Sequence, residues 1–292
     1  MDQAEQLRNI IKAHNPKNRP MARVMAVTSG KGGVGKSNTA INLAIHFRKM
    51  GQRVIILDAD FGLANIEIMF GAVPKYNLYD LIYQGKRIHE IITWGPMEVG
   101  FISGGSGIAG MASLSKDYLT LIIQNLAELD SIADIIIIDT GAGISDAVLE
   151  FLVASGEILL VTTPEPTSIT DSYSLLKSLN RHSRFSPEQS QIRVIGNRVS
   201  SKEEGKVMFQ KLNTVVSRYL KLPLSYLGSV PQDAKLAKAV MQQMPVSIDE
   251  PGSKSAIAYE EIAALLMNNE VKGSLRKRGM AAFFSHIITG KK

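Results

Sequence analysis

The 292-residue sequence contains no cysteine. This absence excludes disulfides, thiolate metal sites, iron–sulfur clusters and thiol catalysis from the chemistry of the chain. Long hydrophobic runs are absent too: the longest aliphatic run, in IIIIDT, is far shorter than the roughly 20 residues of a membrane-spanning helix. The N-terminus MDQAEQLRNI has neither the basic start nor the apolar core of a secretion signal. We therefore expect a cytoplasmic, globular protein.

The composition is balanced, with 45% hydrophobic and 21% charged residues, and the chain is long enough for one large domain. The net charge of +6 is mild, and SLRKRG at 274–279 and the final KK carry much of it. Strand patterns alternate with helix patterns over 21–268, and ADIIIIDT reads as a strand covered on both faces. The fold class predicted is α/β, with a doubly wound, mainly parallel sheet of about seven to eight strands and helices on both faces.

The loop SGKGGVGKS follows an apolar strand and precedes a helix, and its spacing is that of a nucleotide phosphate loop. Glycines let backbone N–H groups approach the phosphates, and the helix N-terminus adds its positive dipole. Lys36 would neutralise the β- and γ-phosphates, and Ser37 would offer its hydroxyl to Mg²⁺. The alternative is a glycine-rich turn that binds nothing. The predicted nucleotide-binding residues of this segment are Gly30, Gly32, Gly33, Val34, Gly35, Lys36, Ser37 and Asn38.

Two further motifs place carboxylates at strand ends. ILDAD puts Asp58 and Asp60 after one apolar strand, and IIIIDTGAG puts Asp139 at the end of another. Ligands of open parallel sheets bind at the carboxyl ends of the strands, so we expect the three carboxylates to converge. A lone aspartate at such a position is more often a helix N-cap. Three of them beside a phosphate loop favour a Mg²⁺ site, contacted mainly through water.

A second lysine, Lys31, stands early in the phosphate loop. In the form KGGVGKS the loop resembles that of the MinD/ParA group of P-loop ATPases, and the resemblance extends over 21–268 through LDADFGLAN, DTGAG, GNRV and VPQD. Within the group, LDADFGLANIEI, DTGAGISD, TPEPTSITDSYSLLK and the leading DQAEQLR are similar to the FlhG (FleN/YlxH) branch of flagellar-number regulators. The resemblance implies a Mg²⁺-dependent ATPase with ATP as its nucleotide.

The resemblance also implies roles for individual residues. Lys31 would reach across a dimer to the partner's nucleotide and would act in catalysis with Lys36 and Asp60, which positions the attacking water. Asp139 would be the Walker B aspartate, and Asp58 a more distant partner of the magnesium. The positions that match the family's adenine contacts are Asn197, Arg198, Pro231, Gln232 and Asp233. ATP hydrolysis would therefore depend on an ATP-bound homodimer.

The two ends of the chain differ from the central 21–268 domain. The tail, 269–292, follows its basic run with apolar residues at helical spacing: Met280, Phe283, Phe284, Ile287 and Ile288. The basic run and the terminal position favour a helix that lies in a membrane interface, reversibly on the inner face of the cell membrane. The alternative is a last helix packed on the core. The pattern of residues 1–20 predicts a helix followed by a linker. By resemblance this helix would bind and stimulate an FlhF-type GTPase, using Gln3, Leu7 and Arg8.

Three other functions stay open at this point. A ParA-type DNA-partitioning ATPase would bind nucleic acid through a basic face of its dimer. We expect no nucleic acid partner, because the tail and the FlhG-like motifs argue against that role. A MinD-type regulator of the cell-division site and a scaffold that binds ATP without hydrolysing it are the others. Flagellar C-ring proteins are plausible partners by resemblance only.

Overall fold

The computed structural model describes residues 21–60, 65–104, 125–268 and 279–289. The predicted N-terminal helix with Gln3, Leu7 and Arg8, and the basic run at 274–278, lie outside the described residues.

Eight strands form a single sheet in the described part of the chain. They lie in the order β3-β4-β2-β5-β1-β6-β7-β8, and all neighbours are parallel except β3, which is antiparallel to β4. The predicted fold class is therefore confirmed. The strands are β1 Arg23–Ser29, β2 Val54–Ala59, β3 Thr93–Trp94, β4 Gly100–Ser103, β5 Ile135–Ala142, β6 Glu157–Thr162, β7 Gln191–Val199 and β8 Leu224–Pro231.

Helices cover both faces of this sheet. The first face carries α3 to α8 and α12, and the second carries α1, α2 and α9 to α11. Their bounds are α1 Lys36–Lys49, α2 Asn65–Phe70, α3 Leu78–Tyr83, α4 Ile88–Ile91, α5 Leu129–Ile132, α6 Asp146–Ala154, α7 Pro166–Arg181, α8 Lys202–Tyr219, α9 Ala234–Met241, α10 Val246–Asp249, α11 Lys254–Asn268 and α12 Met280–Thr289. Short 3₁₀ turns occupy Pro96–Glu98 and Pro187–Gln189.

The isoleucine run of β5 shows why the strands are apolar on both faces. Ile136 and Ile138 pack into the core under the first face, whereas Ile135 and Ile137 pack into the core under the second. All four side chains are at most 2% exposed. Alternating side chains of a strand point to opposite faces, so a sheet covered twice needs an apolar residue at every position.

The strand order also determines where a ligand can bind. Strand β1 lies between β5 and β6, so the chain turns to opposite sides of β1 in its two halves. Loops leaving the carboxyl ends of the strands diverge at this switch point and leave a crevice. The phosphate loop follows β1 directly, and therefore lies at the mouth of that crevice.

Helix α12 packs its apolar face into the core beside α6. Met280, Phe283 and Phe284 are fully buried. The ring of Phe283 stacks on that of Phe151 in α6, with centroids 5.9 Å apart. The first turn of α12 is held by Asp130, whose carboxylate accepts a hydrogen bond from the Met280 backbone N–H at 2.8 Å.

This packing occupies the face predicted to bind a membrane. Besides the three buried residues, Ile287 packs half-buried against the same core, and the Ile288 side chain lies outside the described part. The structure thus adopts the alternative arrangement, a last helix packed on its own domain. Within the described ranges, no helix has the length and apolar character needed to cross a membrane. Lipid contact through this face would require α12 to leave its groove.

Phe283→Ala should lower the free energy of unfolding by about 3 kcal/mol, because it leaves a cavity between α12 and α6. Urea denaturation measures the difference. Leu265→Ala is the matched control, since Leu265 lies in α11 with 44% of its surface exposed, and its cost should stay within about 1 kcal/mol. Equal, small effects of the two substitutions would show that α12 does not pack on the core in solution.

Candidate nucleotide-binding site

The phosphate loop, residues 30–35, is seated tightly between two later elements of the chain. A side chain on Gly30 would place its Cβ 2.2 Å from the carbonyl carbon of Asp171 in α7. A Cβ on Gly35 would lie 2.2 Å from Nδ2 of Asn197, and the backbone there is left-handed, with φ of +97°. Glycine is therefore required at both positions, by close approach at Gly30 and by close approach and conformation at Gly35.

The end of β7 contacts this loop through two consecutive side chains. Nδ2 of Asn197 donates to the carbonyl oxygen of Val34 at 2.7 Å, and a guanidinium nitrogen of Arg198 donates to that of Gly33 at 2.8 Å. The two residues were predicted to contact adenine. The structure gives both side chains bonds to the phosphate loop itself.

Asp139, within β5 and three residues before its last residue, is the most deeply buried carboxylate of the site. It is fully buried, and neither of its side-chain oxygens has a hydrogen-bond partner within the described residues. Burial raises its pKa to about 6, while the Ser37 hydroxyl and the Lys36 ammonium nearby act to lower it. Lys36 itself is only 7% exposed. The predicted phosphate lysine, magnesium hydroxyl and Walker B aspartate are thus brought together.

Asp58 pairs in register with Asp139 across neighbouring strands β2 and β5. It is 2% exposed, and burial, followed by the charge of Asp139, raises its pKa to about 8. Its carboxylate accepts a hydrogen bond from the Asp60 backbone N–H at 3.1 Å. Two buried carboxylates side by side are costly, because each disfavours ionisation of the other.

These residues fit a magnesium ion that arrives with a nucleotide. A divalent cation would meet the unpartnered oxygens of Asp139 and would relieve its repulsion with Asp58. In the parts of the chain that are described, no three histidine or acidic side chains form a complete metal cage. Phosphate oxygens and water would therefore complete the coordination sphere, as is usual for Mg²⁺. Ser37 would supply the hydroxyl ligand.

Asp60 lies on the same side of the site. One carboxylate oxygen accepts a long hydrogen bond, 3.4 Å, from the Asn65 amide. The other lies 3.7 Å from where a Cβ on Gly141 would stand, so Asp60 faces the last residues of β5. Asp60 is partly exposed, which leaves it free to orient a water molecule beside the phosphate loop.

The side chain of Lys31 points away from these carboxylates and contacts other residues of the same chain. Its ammonium group donates to Oε2 of Glu165 at 2.8 Å and to Oγ1 of Thr167 at 3.0 Å, at the N-terminus of α7. Both charged side chains are well exposed, Lys31 by 38% and Glu165 by 54%. Such an exposed pair contributes little to stability, so Lys31 can exchange Glu165 for another anion. Nothing in the sequence pattern around Glu165 indicated this contact.

A cavity of about 1020 Å³ opens beside the loop. Its lining includes five residues predicted to contact adenine, together with two from the phosphate-loop segment: Asn197, Arg198, Pro231, Gln232, Asp233, Gly35 and Asn38. Leu236, Ala237 and Val240 of α9 add an apolar wall that sequence reasoning missed. Their helical spacing directly after VPQD was the available signal.

The carboxylate of Asp233 is used within the protein. One oxygen caps α9 by accepting from the Lys235 backbone N–H at 2.9 Å. The other accepts from the backbone N–H and the hydroxyl of Ser255, at 3.0 and 2.9 Å. Asp233 therefore shapes the cavity by fixing α9 and α11 rather than by offering a free side chain to a base.

Asp139→Asn should stabilise the nucleotide-free protein at pH 8. The folded pKa of Asp139, about 6, exceeds the ordinary carboxyl value of the unfolded chain. Its burial therefore costs free energy that develops as the pH rises from about 4 to about 6 and is complete above that range. Asparagine removes the cost, so the gain should reach at most about 3 kcal/mol at pH 8 and shrink towards pH 4. Urea denaturation across this range measures it.

The control is Asp134→Asn, which should change the free energy of unfolding in the opposite direction. Arg53 donates hydrogen bonds to Asp134 and lowers its pKa, so this variant should lose a little stability at pH 8 and none at low pH. Destabilisation by Asp139→Asn at pH 8, without pH dependence, would contradict the assignment of a buried, unpartnered charge.

A family model described as ParA, NUBPL iron-transfer P-loop NTPase, matches residues 20–267. The chain is 40% identical over 241 residues to the antiactivator FleN of Pseudomonas aeruginosa, which covers 82% of this chain and 85% of that protein. It is 32% identical over 295 residues to the flagellum site-determining protein YlxH of Helicobacter pylori, which covers 98% of each.

Solved structures agree on the fold. A chain of the MinC:MinD cell division protein complex from Aquifex aeolicus aligns with a TM-score of 0.67 at 22% identity, over 87% of this chain and 99% of that one. MinD from Pyrococcus horikoshii, solved with Mg-ADP, aligns with a TM-score of 0.64 at 23% identity, over the same shares. The family match, the two relatives and the phosphate loop beside buried aspartates support one conclusion. The chain belongs to the ParA/MinD family of P-loop ATPases.

Proposed function

We propose that this ATPase is an ATP-dependent, dimerising switch that regulates the number or placement of flagella and associates reversibly with the membrane. The flagellar role is supported by the similarity to FleN and YlxH. The observation that carries the dimer is the position of Lys31. Its ammonium lies at the N-terminus of α7, exposed and paired with the surface groups of Glu165 and Thr167, whereas Lys36 is buried beside Asp139.

In this proposal each chain binds its own nucleotide and completes its neighbour's site. Lys36 and the loop N–H groups hold the phosphates, and Ser37 with Asp139 holds the magnesium. Asp60 orients the attacking water by accepting its hydrogen bond. Lys31 of the second chain would leave Glu165 and spread positive charge over the transition state, as an arginine finger does. Hydrolysis then weakens the dimer and resets the switch.

Light scattering after size exclusion, together with measured turnover, tests the dimer. With MgATP, Asp60→Ala should remain dimeric because hydrolysis is blocked, whereas Lys31→Ala should lose both the dimer and turnover. Glu165→Gln is the matched variant of the opposite sign. It frees Lys31 from a surface pair, so it should raise turnover at low protein concentration by up to about fivefold. Full turnover by a monomeric Lys31→Ala protein would overturn the proposal.

Membrane association would use the apolar face of α12. This face is buried in the structure, so lipid binding requires the helix to exchange one apolar environment for another. The hydrophobic gain is then small for one helix. Two helices on one dimer bind with avidity, because the second insertion is intramolecular. ATP would therefore strengthen membrane association by pairing the helices.

Flotation with anionic liposomes tests this coupling. The wild-type protein should float with ATP and much less with ADP. Ile287→Glu should lower the ATP-dependent fraction at least tenfold, because a charge on the apolar face opposes insertion. Leu265→Glu, at an exposed position of α11, should float like the wild type. Flotation that does not depend on nucleotide would contradict the coupling, even if the dimer is confirmed.

The proposed stimulation of an FlhF-type GTPase rests on DQAEQLR alone, a segment outside the described residues. Two alternatives remain candidates. MinD of Bacillus subtilis is 26% identical over 255 residues, which favours a cell-division regulator as the runner-up. A ParA-type role would appear as salt-sensitive DNA binding with ATP and no flotation. Iron transfer, which the family description includes, lacks support here because cluster chemistry uses cysteine thiolates and this sequence has none.

A further inference from the structure

We propose that Arg198, with Asn197, is a positioning residue that holds the phosphate loop in its anion-binding shape before a nucleotide arrives. The inference rests on the proposed nucleotide site and assigns Arg198 a role in the phosphate cradle rather than at the base. Its basis is the pair of hydrogen bonds from the end of β7 to the carbonyl oxygens of Gly33 and Val34, at 2.8 and 2.7 Å.

Peptide geometry links these carbonyls to the groups that bind phosphate. A trans peptide unit is planar, and its C=O and N–H point in opposite directions. All described peptide bonds are trans. Fixing the Gly33 carbonyl therefore fixes the Val34 N–H, and fixing the Val34 carbonyl fixes the Gly35 N–H. The side chains that donate to the carbonyl oxygens of the loop therefore fix the directions of its N–H groups.

The rest of the loop is held in the same manner. The carbonyl of Lys31 accepts from the Ser29 hydroxyl at 2.7 Å. The carbonyl of Gly35 accepts from the backbone N–H and the hydroxyl of Thr39, at 3.0 and 2.9 Å. These donors belong to β1 and α1, which flank the loop. The two central carbonyls depend instead on β7, which is not adjacent to β1 in the sheet.

The backbone at Arg198 is adapted to this contact. Its φ is +57°, in the left-handed region of backbone conformation that residues other than glycine rarely adopt. The register of β7 with β8 shifts between Asn197 and Val199, so Arg198 leaves the ladder at a bulge. Unfavourable backbone conformations persist where the surrounding structure requires them, commonly at functional sites. Here the bulge directs an exposed side chain back onto the loop.

A purely structural role accounts less well for this arrangement. Strand β6 already joins β1 to β7 through continuous pairing, and an exposed arginine adds little to fold stability. The guanidinium bond is charge-assisted, and it acts on the one segment whose shape decides phosphate affinity. We therefore expect removal of Arg198 to loosen the loop without unfolding the sheet.

The test compares Arg198→Gly, Arg198→Lys and Lys221→Gly in the full chain. Glycine accepts the left-handed backbone, so Arg198→Gly removes the donor without adding strain. Lysine restores a cationic donor. Lys221→Gly is the matched control, because Lys221 is also exposed with φ of +54° and lies in the connection from α8 to β8. Each protein is measured by hydrogen exchange without nucleotide and by calorimetric titration with AMP, ADP and ATP.

Without nucleotide, Arg198→Gly should speed amide exchange in peptides covering 30–37, and Arg198→Lys should reverse much of that change. In titrations with Mg²⁺, Arg198→Gly should weaken ADP and ATP about tenfold or more while AMP changes little, because the lost order concerns the β- and γ-phosphates. Unchanged exchange would overturn the inference. Equal losses for AMP and ADP would also overturn it, since they would place Arg198 on the nucleoside. The exchange measurement needs no nucleotide, so it still tests the inference on Arg198 if the protein proves not to bind nucleotide or not to dimerise.

Discussion

The tight seat of the phosphate loop is the constraint on which the site depends. The loop follows the central strand, yet its shape is completed by α7, which abuts Gly30, and by Asn197 at the end of β7, which abuts Gly35. Both elements come more than 130 residues later in the chain. The cradle therefore exists only when β1, β6 and β7 are assembled in one sheet, and nucleotide affinity is tied to completion of the fold.

The second constraint on the site is the burial of two carboxyl groups beside the phosphate loop. Asp58 and Asp139 lie side by side on neighbouring strands, and burial raises the pKa of both carboxyl groups. A structure selected for stability alone would place apolar or neutral residues there. A cation that bound there would recover the cost, since a ligand that binds only the folded state stabilises it by mass action. The nucleotide-free protein would accordingly be the less stable form, with its unfavourable charges gathered where magnesium would lie.

Local patterns predicted much of this arrangement, and tertiary contacts explain what they missed. The isoleucines of β5 predicted a strand with helices on both of its faces, and the spacing from Gly30 to Ser37 predicted the phosphate loop. Both patterns depend only on residues that are close in sequence. Glu165 could not be found in this way, since only the folded chain brings it to Lys31. The apolar face of α12 was recognised, but periodicity does not distinguish a lipid partner from Phe151. Asp233 lines the cavity beside the loop, but its carboxylate caps α9, which its position in VPQD did not reveal.

Two intrachain contacts occupy the groups that the proposed switch would use. Lys31 is paired with Glu165, and α12 is packed against α6. Helix α6 begins at Asp146, directly after the short loop that follows β5, the strand that carries Asp139, and Ser145 caps it through the Val148 N–H. A shift of that loop when magnesium meets Asp139 would therefore move the helix that forms the groove for α12. In the proposed switch, α6 thus connects the nucleotide site to the apolar face of α12. Helix α7, which contacts both Gly30 and Lys31, connects the nucleotide site to the second chain.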